Sequence, residues 1–140
     1  GKELWLKTLP NIISGNVVRT KQDDSKVTFA YNIRREDEHI NFDMSSKKVS
    51  NLVRGLNSFP GAFASLDGKI IKIYSGRIGN SSKGNPSEIV EIYKDGIGVK
   101  VNNGEIVLTL VQPEGKNKMK AKDFINGLKE KNELVGKIFE

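Results

Sequence analysis

Cysteine is absent from this chain of 140 residues, and histidine occurs once, as His39. Without cysteine there are no disulfides, no thiolate metal sites and no cysteine nucleophile. A lone histidine has no partner for a zinc site or a histidine-based triad, so His39 reads as a surface residue beside an acidic run. Apolar stretches last only a few residues, far short of the ~20 that a membrane helix needs. No secretory h-region is present, which makes the cytoplasm the expected location and excludes a membrane partner from the reading. The initiating methionine is also missing, and this points to a fragment of a longer protein.

What the chain does have is positive charge in one part of its length. The formal net charge is +6. Residues 1–44 carry seven Lys/Arg against seven Asp/Glu, and residues 45–140 carry sixteen against ten, so the excess lies wholly in the second stretch. A localised basic excess favours a polyanionic partner, nucleic acid first. Its densest part is "QPEGKNKMKAKDF", where Lys116, Lys118, Lys120 and Lys122 surround Met119. Ammonium groups this close repel one another, and a phosphate backbone relieves that repulsion while releasing counterions. The run also leads into a helix start, whose free N–H groups favour anions. From these residues alone a phosphate-binding segment and a solvated loop stand side by side.

The remaining pattern describes one domain with an attachment. In "KELWLKTLPNIISG" the apolar residues Leu4, Trp5, Leu9, Ile12 and Ile13 have helical spacing, Pro10 kinks or breaks the helix, and Gly15 stops it. Nothing in the next thirty residues covers that face, so a missing N-terminal part is expected to do so. Residues 16–38 read as a linker with an alternating run from Val27 to Ile33. "EHINFD" suggests a short strand with Ile40 and Phe42 on one face. "SSKKVSNLVRGLNS" is the clearest helix, capped by Ser45 or Ser46, with Val49, Leu52, Val53 and Leu56 as its stripe. After Pro60 come five short β runs, and "DG" at 67–68, "DG" at 95–96 and "NNG" at 102–104 signal hairpin turns. "GNSSKGNPS" reads as a looser hairpin loop. A helix is expected at about 120–128, and "LVGKIFE" is a candidate last strand. The core set is Leu52, Val53, Leu56, Ile71, Ile73, Val99, Val101, Leu108 and Leu110.

Other candidate motifs dissolve on inspection. "GRIGNSSKG" lacks the Gly-x4-Gly-Lys-Ser/Thr spacing of a phosphate loop and opens no clear helix. Asp23-Asp24 and Glu36-Asp37-Glu38 lie in polar surroundings and read as solvated charge rather than magnesium ligands. No nucleophile, base and oxyanion donor come together, so the fragment itself is expected to be inactive.

Two stretches, "RGLNSFPGAF" (54–63) and "LVQPEGKNKMKAKDFING" (110–127), resemble the C-terminal domain of bacterial methionyl-tRNA formyltransferases. "TLPNIISG" and "QDDSKVTFAYNIRREDEHINFD" resemble the family's last catalytic-domain helix and interdomain linker, in the same order. The resemblance runs nearly end to end, with Phe42 where the family often has tryptophan. It implies an OB-like open Greek-key β-barrel with one or two packed helices, a mainly β (β-rich α+β) fold preceded by a short helix and extended linker. It further implies that residues 1–15 are the last helix of an absent catalytic domain, 16–38 the interdomain linker and 39–140 the barrel.

By this resemblance the full-length protein moves a formyl group from 10-formyltetrahydrofolate to initiator methionyl-tRNA. The catalytic asparagine, histidine and aspartate lie in the absent domain. No cofactor is expected here, and His39 inherits no catalytic role. The expected partners are initiator tRNA and the chain's own catalytic domain, with the protein a monomer. The expected RNA contacts are Lys116, Lys118, Lys120 and Lys122, then Arg54, Lys69, Lys72 and Lys100. Arg54 has a structural alternative, anchoring the turn at Pro60. Two rival readings remain: the tail of a sugar-nucleotide formyltransferase without an RNA role, and a protein-interaction barrel docking through its first helix.

Overall fold

The computed structural model describes residues 1–128 and 130–140, and the side chains of all of these except Lys131 and Asn132. They fall into two compact units, Gly1–Asn32 and Ile33–Glu140. No helix among the described residues is long and apolar enough to cross a membrane.

In the first unit, helix α1 spans Lys2–Ile13 and continues through Pro10 instead of breaking there. Pro10 removes one backbone donor but still accepts from the Ser14 amide at 3.0 Å, and Gly15 follows at φ +76°. The positive φ ends the helix in the region glycine tolerates best. The α1 residues Leu4, Trp5, Leu6 and Ile13 are all at least 60% exposed. A single 3₁₀ turn, Asp24–Lys26, is started by Asp23, whose carboxylate accepts from the Ser25 amide at 3.0 Å.

The second unit begins with the short helix α2 (Arg35–Glu38) and helix α3 (Ser46–Gly55). Strands β1 (Ala62–Leu66), β2 (Lys69–Gly79), β3 (Ile89–Ile92), β4 (Ile97–Val101), β5 (Gly104–Pro113) and β6 (Met119–Lys120) follow. Helix α4 (Ala121–Asn126) and a 3₁₀ turn at Lys131–Leu134 complete it. The strands form one open antiparallel sheet in the order β1-β2-β5-β4-β3, with β6 paired to the end of β5. The meander β3-β4-β5 with β2 returning beside β5 is a Greek key. The fold is therefore β-rich α+β and barrel-like, as the sequence suggests.

The three turn signals at 67–68, 95–96 and 102–104 do join paired strands. "GNSSKGNPS" does not close a hairpin, because β2 and β3 are not neighbours; it is the crossover that makes the Greek key. The C-terminal segment makes isolated bridges, Glu88 to Ile138 and Leu66 to Phe139. It thereby reaches β1 and the approach to β3, the strands at opposite ends of the order.

Phe42, Val49, Val53, Leu56, Ile73, Val99, Ile106, Leu108 and Phe139 belong to a continuous core. Leu52 only borders it. Leu110, expected inside, is half-buried on the other face. The cause is two register shifts flanking Ser75, where the β2–β5 ladder passes from Ile73↔Val111 to Ser75↔Leu110 and then Gly76↔Leu108. Such bulges change which side chains point inward. His39 is half-buried, not a surface residue: its Nε2 lies 3.0 Å from the Glu140 carbonyl and its ring packs edge-on against Phe63.

Candidate nucleic-acid interface

The lysine-rich segment leaves the sheet in a turn over 114–118 and rejoins it as a short strand at Met119–Lys120. After β5 ends at Pro113, the chain turns through Gly115 at φ +70°, with the Lys116 amide donating to the Pro113 carbonyl at 3.0 Å. Gln112 ties this turn down: its Nε2 donates to the Lys116 carbonyl at 2.9 Å, and its Oε1 accepts from the Tyr74 hydroxyl at 2.9 Å. The Lys118 ammonium sits over the Tyr74 ring, 3.5 Å from its centroid. Met119 and Lys120 then pair with Val111 and Leu110 as β6. Ala121 and Ile125, both buried, root α4 in the core.

This folding splits the lysines between two faces. Lys120 and Lys122 line an open groove of about 540 Å³, together with Lys94, Asp95, Ser75, Thr109 and Leu110. Lys116 instead borders a neighbouring depression that also contains Lys69 and Lys137. All of Lys116, Lys118, Lys120 and Lys122 are exposed. Among the described residues none of them forms an ion pair.

The second set of sequence candidates fares unevenly. Arg54 is exposed and donates to Asn51 Oδ1 at 3.0 Å, bordering a shallow depression that shares Ser75 with the Lys120 groove. It does not anchor the turn at Pro60; that role falls to Lys72, whose Nζ donates to the Pro60 carbonyl at 2.8 Å. Lys69 is exposed at the β1–β2 turn. Lys100 is only 8% exposed, because β4 is covered along its whole length, and it offers little surface to a polyanion.

Sequence reasoning passed over Lys94 and the residues that hold it. Lys94 sits at the tip of the β3–β4 hairpin, closed by the Tyr93 amide on the Gly96 carbonyl at 2.8 Å. Beside it, Asp95 receives two hydrogen bonds from Arg77, at 2.8 and 2.9 Å. Those bonds hold the Asp95 carboxyl below its usual range and raise Arg77 above its own. On the other side, the Tyr93 hydroxyl donates to Glu105 Oε2 at 3.0 Å. Burial, then the Glu105 hydrogen bond and charge, push the Tyr93 phenol up. The "KDG" turn marks a hairpin tip in the sequence, but not that the tip lies opposite β6, since that pairing is non-local.

Among the described residues no group of His, Asp and Glu gathers as metal ligands do. The groove sets the cations Lys94, Lys120 and Lys122 beside one carboxylate, Asp95.

Comparison with known proteins adds independent findings. A family model described as "Formyl transferase, C-terminal domain" matches residues 32–129. A methionyl-tRNA formyltransferase from Macrococcus caseolyticus is 41% identical over 139 residues, covering 99% of this chain and 44% of the relative. Another, from Streptococcus mutans, is 44% identical over 131 residues, covering 94% of this chain and 42% of the relative. The chain thus spans less than half the length of these relatives. Crystal structures of HypX from Aquifex aeolicus share the fold: one has a TM-score of 0.64 at 18% identity, covering 95% of this chain and 24% of HypX. A second, solved in complex with tetrahydrofolic acid, has a TM-score of 0.62 at 18% identity, covering 88% and 22% respectively.

Proposed function

The chain belongs to the formyl transferase C-terminal domain family, and on that footing we propose that it is the tRNA-holding part of a methionyl-tRNA formyltransferase. In this reading the 39–140 domain positions initiator tRNA by contacts to its phosphate backbone, with little base readout. Formyl transfer from 10-formyltetrahydrofolate takes place in a catalytic domain outside these residues, and the chain alone is inactive. Residues 1–15 are that domain's last helix and 16–38 the linker, so the exposed apolar residues of α1 have a cover in the whole protein. The whole protein works as a cytoplasmic monomer.

The observation that carries the reading is the set of exposed cations on the folded 116–122 segment, unpaired among the described residues. Lys116, Lys118, Lys120 and Lys122 are its principal contacts, with Arg54 and Lys69 beside them. Lys72 serves the fold, and Lys100 leaves the contact set because it is buried.

The test is tRNA binding by this chain across a salt series, beside a Lys116→Ala/Lys118→Ala/Lys120→Ala/Lys122→Ala variant. The wild type is expected to bind at about 10⁻⁴ to 10⁻⁶ M, steeply dependent on salt, and the variant more weakly with a shallower slope. Absence of tRNA binding by both proteins at low salt overturns the reading and leaves the sugar-nucleotide formyltransferase tail standing.

A further inference from the structure

We infer that the groove between the β3–β4 hairpin tip and the β6–α4 corner is a discrete phosphate subsite for RNA, with Lys94 its hairpin-borne cation. This rests on the tRNA reading above and extends it across the sheet, from the segment that the sequence singles out to the β3–β4 hairpin tip.

The bulges are the first support. The register shifts around Ser75 turn Ser75, Thr109 and Leu110 toward this groove, so it has a floor of one apolar side chain with hydroxyls beside it. Bulges recur where a sheet re-aims side chains for function. The groove is open rather than enclosed, which suits a phosphodiester and not a buried base.

Placement of Lys94 is the second support. Both of its chain neighbours are fastened: Tyr93 to the fully buried Glu105, and Asp95 to Arg77 by two hydrogen bonds. The Arg77 guanidinium also lies 5.2 Å from the centre of the Tyr93 ring, joining the two fastenings into one unit. Gly96 lies so close against β5 that a Cβ there would collide with the Leu108 carbonyl. The hairpin tip is therefore held in place while its one unfastened side chain is an ammonium. A cation on a fixed mount loses less backbone freedom on binding than one on a loop.

Charge is the third. Lys94, Lys120 and Lys122 reach the groove from the β3–β4 turn, β6 and α4, and none has an ion-pair partner among the described residues. The groove's carboxylate, Asp95, is engaged by Arg77 and is not available to them. Like charges gathered from separate elements repel, and an anion between them offsets that repulsion. Among the described residues these cations make no ion pair that would account for them as fold-holding groups.

The experiment compares tRNA binding by the wild-type chain, Lys94→Ala, Lys94→Arg, Lys83→Ala and the Lys116/118/120/122→Ala variant across a salt series. Lys83→Ala removes the same single charge from the loop before β3 and serves as the control for net charge. Lys94→Ala is expected to weaken binding about three- to tenfold, with a log–log salt slope smaller by about 1, while Lys94→Arg stays within about twofold of wild type. Amide chemical-shift mapping of the unmutated chain with tRNA is expected to move Ser75, Lys94 and Thr109, and this readout needs no variant to fold. If Lys94→Ala behaves like Lys83→Ala and those amides stay still while the quadruple variant loses binding, the groove inference falls and the tRNA reading stands. If the wild type itself shows no binding at low salt, the tRNA reading fails first and takes the groove with it. Equal shifts of the groove amides with inorganic phosphate alone, with no slope change on tRNA for Lys94→Ala, identify a site for free phosphate and overturn the RNA assignment.

Discussion

Glu105 has no solvent exposure, and its carboxylate is held on one side only. Oε2 accepts from the Tyr93 hydroxyl at 3.0 Å and the Ser81 amide at 3.1 Å, while Oε1 has no partner among the described residues. Room for it exists because residues 79 and 98 are glycine: a Cβ at either would overlap the carboxyl oxygens. Gly98→Ala is therefore expected to destabilise the fold by about 1–3 kcal/mol, as overpacking does, read as a lower denaturant midpoint at unchanged m. Tyr93→Phe leaves Oε2 with the Ser81 amide alone and is expected to cost about 1–3 kcal/mol at neutral pH. It also changes the alkaline limb. The folded state holds the Tyr93 proton above its ordinary value of 10.0, first through burial and then through Glu105. The unfolded chain accordingly loses that proton first as pH climbs past 10, and stability falls with rising pH there. Below that range the proton is bound in both states and the phenol adds no pH dependence. Urea melts from pH 9 upward should show a shallower decline for Tyr93→Phe than for wild type; parallel curves would remove Tyr93 from the account.

Helix α3 shows how far an element can be read from its own residues. Ser45 caps it, accepting from the Lys48 amide at 3.3 Å, and Val49, Val53 and Leu56 are buried at the spacing the sequence displays. Leu56→Ala is expected to cost about 2–5 kcal/mol, and Leu52→Ala clearly less, since Leu52 only borders the core. Equal losses at the two positions would mean that the stripe is wider than the packing indicates. The hairpins at 67–68, 95–96 and 102–104 were legible for the same reason, because turn chemistry is local. What escaped the sequence was set by partners distant in the chain. β6 is only Met119–Lys120, too short for a period and hidden among lysines. The two bulges beside Ser75 reverse the inward phase between Leu108 and Val111, which is why Leu110 faces out. The place of Lys94 beside the groove depends on β5 and β6 lying alongside, and nothing local marks β4, with Lys100 in it, as covered along its length.

At the scale of the whole domain, the last five residues decide whether the sheet stays open. Ser65 and Glu140 exchange backbone hydrogen bonds at 2.8 and 2.9 Å on the β1 side. Near β3, the Ile89 amide donates to the Lys137 carbonyl at 2.8 Å, and the Phe139 amide donates to the Ser87 carbonyl at 2.9 Å. The tail thus joins the two strands at the ends of the β1-β2-β5-β4-β3 order, covering edges that would otherwise offer unpaired backbone groups. Phe139 adds an apolar lock: it is 2% exposed, with its ring 5.5 Å from that of Phe42. Phe139→Ala is expected to lower stability by about 3–5 kcal/mol, within the range for emptying a buried aromatic site. Hydrogen exchange locates the loss. With the lock gone, the amides of Ser65, Ile89 and Glu140, which bond between the tail and the sheet edges, should exchange faster relative to those of Ile106 and Leu108, which lie between β2 and β4. Uniform acceleration across all five would mean that the tail only adds to global stability and does not close the sheet. The proposed RNA face makes a separate demand on this result, because β6 and the β3–β4 tip both pack against β5. If the central ladder stays protected, tRNA affinity of the still-folded Phe139→Ala population should remain within about threefold of wild type, the cations keeping their mounts while the far edges fray.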